Sequence, residues 1–207
     1  MTEKKTIKAS KDVSSVNGST NFVEGKDYYL YDNSRASKNP LLYQKLLAHV
    51  KDVIAIWDPH YQLDCKRLFC EVKTNNIVVE VLTICQGNES KRDIYDFANR
   101  ILTAIDKKAV PKCMVVVNAL KRDRNERFAQ VPNWHDRYLI VDDEVYLVGT
   151  SMDAQAANSS TFGIKRLTET KDKNIVIDTY VSYRDKIMDA SAPNSNGFKC
   201  TVKRGYV

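Results

Sequence analysis

Apolar and polar positions alternate between two rhythms along the middle of the chain. Leu41, Leu42, Leu46, Leu47 and Val50 recur at helical spacing after Asn39-Pro40, a pair that suits a helix start. Residues 53–57 are a short β-rich run that stops at Asp58-Pro59. Residues 63–72 fit a short helix, and 77–82 a strand. Ser90 is a candidate N-cap for a helix through Ile94, Phe97, Ile101, Leu102 and Ile105. Residues 113–117 read as another strand. Residues 138–141 and 145–148 flank the turn Asp142-Asp143-Glu144 and predict a hairpin. A further strand over 162–167 and a last helix over 175–188 complete the pattern.

Strands that alternate with helices predict an α/β fold, a mixed β-sheet flanked by helices. The late hairpin speaks against an all-parallel sheet. No internal repeat is visible. With 207 residues the chain suffices for one good-sized domain with its own core. That domain is expected over 38–190. Residues 1–37 read as an N-terminal extension, partly disordered, because large apolar groups are sparse there. A breaker cluster at 191–198 opens a basic C-terminal tail, 191–207, that is expected to be loose.

Composition adds limits. Hydrophobic residues make up 43% and charged residues 28%, as in ordinary soluble globular domains. No apolar run approaches the roughly 18–20 residues that cross a bilayer. The lysine-rich start lacks an apolar signal region, so a cytoplasmic protein is expected. Cys65, Cys70, Cys85, Cys113 and Cys200 fit neither CxxC nor a zinc ligand set. They read as buried thiols of a reduced protein, with no metal and no cofactor. The net charge of +6 is compatible with a nucleic-acid partner.

The chemistry concentrates in residues 134–152, WHDRYLIVDDEVYLVGTSM. His135 and Arg137 stand two apart on an expected strand, so both face one side. Asp142 follows at the turn, and Gly149-Thr150-Ser151 closes the returning strand. An imidazole can attack phosphorus or move a proton. A guanidinium can hold two phosphate oxygens in a fork. Small residues let an oxyanion approach backbone N–H groups.

This pattern resembles the phospholipase D superfamily motif, H-x-K-x4-D-x6-G-S-x-N. His135, Asp142 and Gly149 match in type and spacing. Arg137 stands at the family's lysine, Thr150 at its serine with Ser151 beside it, and Met152 at its asparagine. Trp57-Asp58-Pro59-His60-Tyr61 and Leu82-Thr83 extend the resemblance to bacterial phospholipase D-like proteins with an HDR signature. They extend it also to the phospholipase D-like domain of MIT-domain proteins, over about residues 38–190. The resemblance implies a phospholipase D-like half. His135, Arg137 and Asp142 would be catalytic, and Gly149, Thr150 and Ser151 would bind phosphate. A homodimer would complete the site, one histidine forming a phosphohistidine and the other acting as acid and base. HDR relatives are also associated with bacterial defence and mobile-element systems.

Two function classes follow. One is a metal-independent phosphodiesterase, a nuclease. The other is a catalytically inactive binding or assembly module inside a larger complex with a partner protein, suggested by the arginine and methionine departures. His135 could also be a plain hydrogen-bonded residue at a strand start. Asp142 could serve its turn alone, and Thr150 and Ser151 could cap a helix. Just before the motif, Lys121, Arg122, Arg124 and Arg127 offset Asp123 and Glu126, which leaves +2 (four minus two) for approaching nucleic acid or for an ordinary solvated loop. Asp58 is a candidate supporting residue at a strand end. His60 reads equally as a loop residue, and His49 as structural or exposed.

Overall fold

The computed structural model describes residues 22–24, 27–31, 46–59, 69, 72–85, 90–120, 135–149, 152, 162–188 and 197–206. Its strands are β1 (Phe22–Glu24), β2 (Tyr28–Tyr31), β3 (Val53–Trp57), β4 (Ile77–Ile84), β5 (Cys113–Leu120), β6 (Arg137–Val141), β7 (Glu144–Val148), β8 (Phe162–Arg166) and β9 (Gly197–Arg204). The long helices among the described residues are α1 (Lys91–Ala104) and α2 (Thr170–Met188). All nine strands form one sheet in the order β1-β2-β8-β7-β6-β3-β4-β5-β9. β3, β4 and β5 are parallel, and every other pairing is antiparallel. The fold is therefore α/β with a mixed sheet, as the alternation of patterns predicts.

The parallel strands read VIAIW, IVVEVLTI and CMVVVNAL, nearly continuous apolar runs, because both of their faces are buried. One face carries Ile54, Ile56, Val79, Val81, Val115, Val117, Leu139 and Val141. It packs against Leu47, Val50, Phe69 and the Ile94, Phe97, Ala98 and Ile101 stripe of α1. The opposite face carries Ala55, Trp57, Leu82, Leu120 and Ile140, and α2 covers it with Val176 and Tyr180. A capping box starts α1: the Ser90 side chain accepts from the Asp93 N–H, and the Asp93 carboxylate accepts from the Ser90 N–H at 2.7 Å.

The sheet reaches beyond 38–190 on both sides. β1 and β2 lie inside the expected extension. The tail expected to be loose is instead strand β9, paired with β5 over all eight residues from Gly197↔Leu120 to Arg204↔Cys113. Its apolar positions Phe198, Cys200 and Val202 face the core at period two. Arg204 fastens it further. Its guanidinium donates to the carbonyls of Leu102, Ile105 and Val110 at 2.8–3.1 Å, closing the carbonyl end of α1. The expected helix over 41–50 is described only at its end, where Leu46 and Leu47 are helical and buried. Of the short helix expected over 63–72, only Phe69 and Val72 fall within the described residues. No helix among the described residues is long and apolar enough to cross a membrane.

Candidate active site

β6 pairs antiparallel with β3, Tyr138 opposite Trp57, so the start of β6 lies at the carboxyl ends of the parallel strands. Crevices at that end, where neighbouring strands lead in different directions, are where open α/β sheets place ligands. Strand alternation then sorts the motif. Leu139 and Val141 face the α1 side, so Arg137 and, two residues earlier, His135 lie toward that side as well. Asp136 falls toward the opposite side, where its charge and a hydrogen bond act on the Tyr138 hydroxyl. Burial first, then Asp136, push the Tyr138 phenol up. His135 itself is exposed.

Asp58 organises this end. It follows Ile54 and Ile56 on the α1 face and is wholly buried, with 0% exposure. Its N–H continues the parallel ladder by donating to the Leu82 carbonyl at 3.1 Å. Its Oδ1 stands 3.4 Å from the Arg137 Nε, an ion pair outside hydrogen-bond geometry. Its Oδ2 accepts the Met152 N–H at 2.8 Å. One carboxylate thus ties the motif's cation to the segment after its glycine, 15 positions further along (152 − 137). Arg137 also donates through Nη1 to the His135 carbonyl at 3.2 Å, and its side chain keeps 22% exposure. The guanidinium is held between the histidine's backbone and a buried carboxylate.

Asp142 does not join them. It sits in the β6–β7 turn at the far end of β6, on the order of 16 Å from Arg137 at strand rise over five residues. Its backbone is left-handed, φ 54°, a region that aspartate tolerates better than most residues. Its carboxylate accepts from the N–H groups of Lys51, Asp52 and Val53 at 2.9, 2.9 and 3.0 Å. Partial burial pushes this carboxyl up. The donors from Val53, Asp52 and Lys51, with the Lys51 charge, outweigh it, and the net shift is downward. The carboxylate thus clamps the hairpin to the start of β3, at the opposite end of β6 from the His135–Arg137 pair with which a catalytic role is expected.

Of the residues expected to bind phosphate, Gly149 is described. Gly149 is exposed, but its N–H donates to the Gly163 carbonyl at 2.9 Å. Thr150 and Ser151 lie outside the described residues, as do Lys121, Arg122, Arg124, Arg127 and His60. Met152 buries its side chain in the α1-side core at 3% exposure, so only its backbone serves the site. His49 is exposed. Cys85, Cys113 and Cys200 are buried; burial pushes the Cys113 thiol up to about 11 against the opposing Arg204 charge.

Thr83 was quoted in the sequence only as part of a motif, yet it neighbours Asp58. Trp57 is in register with Leu82, and the ladder continues one step to Asp58. Thr83 shares the α1 face with Val81 and is 5% exposed, and its Oγ1 has no hydrogen-bond partner. Val148, Arg137, Asp58, Thr83 and Ala119 therefore form one row across five strands. Asn118 on β5 is wholly buried on the other face, and both atoms of its amide lack partners.

The fold and site define a mixed α/β sheet with one His-x-Arg pair at the carboxyl ends of its parallel strands. Among solved structures the chain is similar to Nuc of Salmonella typhimurium, a phospholipase D family member. The identity there is 13% and the TM-score 0.43, over 77% of this chain and 89% of that one. It is similar to NucT from Helicobacter pylori at 12% identity and TM-score 0.43, over 72% and 86% of the two chains. It is also similar to TrmBL2, an archaeal chromatin protein described as showing a novel mode of DNA binding. That match has 12% identity and a TM-score of 0.42 over 78% of this chain, which spans about half (53%) of that protein. No family model and no curated protein matches the sequence.

Proposed function

We propose that this chain is a metal-independent phosphodiesterase of phospholipase D type that cleaves nucleic acid and works as a homodimer of half-sites. The observation that supports it best is the mounting of Arg137. A cation next to an exposed imidazole is anchored by a fully buried carboxylate at the ligand-binding end of the sheet. In this reading the His135 imidazole of one copy attacks phosphorus and displaces the leaving alkoxide. The imidazole of a second copy protonates that oxygen. Water then attacks the phosphohistidine, giving its proton back to the second imidazole and freeing the first. Arg137 neutralises the charge that grows on the non-bridging oxygens. Lys121, Arg122, Arg124 and Arg127 would draw the polyanion toward the start of β6. A cytoplasmic role in a bacterial defence or mobile-element system suits such an enzyme.

The test is cleavage of single- and double-stranded DNA and RNA in EDTA by protein whose dimeric state has been verified by light scattering. Activity that disappears in His135→Ala supports the reading. A verified dimer inert on nucleic acid, phospholipid and chromogenic diesters overturns it.

A second reading has its own observation. Met152 occupies the position of the family's asparagine and turns its side chain into the core, so that position brings no side-chain amide to the site. This favours a phosphodiester-binding or assembly module that retains the fold without turnover, acting with a partner protein. It predicts that His135→Ala folds normally and leaves ligand binding intact.

A further inference from the structure

The row Arg137–Asp58–Thr83 holds one loose contact and one unused donor. Nε of Arg137 meets Asp58 as an ion pair without hydrogen-bond alignment. Nη1 is engaged by the His135 carbonyl. A two-point grip on phosphate needs two adjacent guanidinium nitrogens. The edge that projects a fork sideways is Nε with Nη2, and using it takes Nε from Asp58. Asp58 is 0% exposed, so water cannot replace what Arg137 withdraws. Beside it on β4 stands the Thr83 hydroxyl, buried, on the same face, with no partner. A buried donor without an acceptor is costly to keep and rare in folded proteins.

We infer that Thr83 is a positioning residue for the ligand-bound state: its hydroxyl donates to Asp58 when Arg137 turns from that carboxylate to a bound phosphodiester. The inference rests on the phosphodiester reading above and adds to it a residue on a strand outside the motif. In the ligand-free protein Thr83 does nothing through its hydroxyl. In the complex it stabilises the carboxylate that Arg137 has left. Thr83→Val keeps the shape and removes the donor, whereas Thr83→Ser keeps the donor.

The experiment measures binding of a fluorescent single-stranded DNA oligonucleotide on a His135→Asn background, which cannot turn over, alongside melting of the ligand-free protein. Thr83→Val is expected to weaken binding about tenfold, the scale of one hydrogen bond to a charged group, and Thr83→Ser to restore it. Ligand-free melting is expected to stay level or rise in Thr83→Val. Binding equal to the parent overturns the inference. So does a lowered ligand-free melting temperature or failure to fold, because the hydroxyl would then be bonded before ligand arrives. Arg137→Ala on the same background separates the two levels. If it weakens binding while Thr83→Val does not, only the role of Thr83 falls. If neither weakens binding, the phosphodiester reading falls with it.

Discussion

Asp58, directly after β3, and Arg137, at the start of β6, form an ion pair beyond the last paired residues of the two strands, the carboxylate wholly buried and the guanidinium still 22% exposed. The two partners therefore do not lose equally when separated. Arg137→Ala takes the cation from a wholly buried carboxylate that keeps the Met152 N–H, and is expected to cost about 3 kcal/mol. Asp58→Asn leaves an arginine that can reach water, and the asparagine oxygen can keep the Met152 N–H, so about 1–2 kcal/mol is expected. Denaturant unfolding should find the Asp58→Asn/Arg137→Ala double variant more stable than Arg137→Ala alone.

Asp142 gives the chain a defined acid sensitivity. Its folded-state carboxyl is held below the ordinary range by three backbone donors. A depressed folded pKa contributes stability that is complete above the unfolded value, about 3.9, and is lost as pH falls through the folded one. Asp142→Asn should therefore flatten the stability-against-pH curve below about pH 4 relative to the parent. Asp142→Ala should cost about 1 kcal/mol near neutrality, because the Lys51 and Asp52 N–H groups can turn to water and only that of Val53 is part-buried. Equilibrium unfolding at several pH values reads both. If purified Asp142→Asn lost turnover while its stability and His135-dependent binding were retained, the structural role would be wrong.

Asn118 points the other way. Its amide is wholly buried and unpartnered among apolar neighbours on the α2 face. Asn118→Leu removes that unmet demand at similar volume, and a stability equal to the parent or about 1–2 kcal/mol higher is expected. Thermal melting with matched controls would show it. A loss of several degrees would mean the amide has a partner in solution, such as a bound water.

The buried thiols should be silent. Cys113 and Cys200 are both pushed up by burial, with Arg204 and Lys91 respectively opposing. Native protein treated with iodoacetamide near neutral pH is expected to leave Cys85, Cys113 and Cys200 unmodified, and unfolded protein to react at all three. Peptide mass spectrometry checks this.

Much of the sheet was legible because its rhythm is strong. Residues 53–57 predict β3 to the residue, and the runs at 77, 113, 138, 145 and 162 each mark a strand. The Ser90 cap was legible because a hydroxyl just before a run of apolar positions at helical spacing has a local meaning. β9 was missed although F-K-C-T-V-K alternates at period two; its lysines and the preceding breaker cluster masked a strand whose outward positions face solvent. The site divides in the same way. Local spacing put His135 and Arg137 on one face. It also suggested that Asp142 belonged with them, because motif spacing counts residues and does not reveal that a strand carries its two ends apart. Asp58 and Thr83 stand 79 and 54 positions before Arg137 (137 − 58 and 137 − 83), and no local rule links them.

The grip of Arg204 on α1 has a consequence for how the molecule opens. The last turn of that helix and the outer strand of the sheet share one guanidinium, so neither can fray alone without stranding the carbonyls of Leu102, Ile105 and Val110. Amide exchange should report them as a single cooperative unit: slow together in the parent, fast together once the arginine is removed.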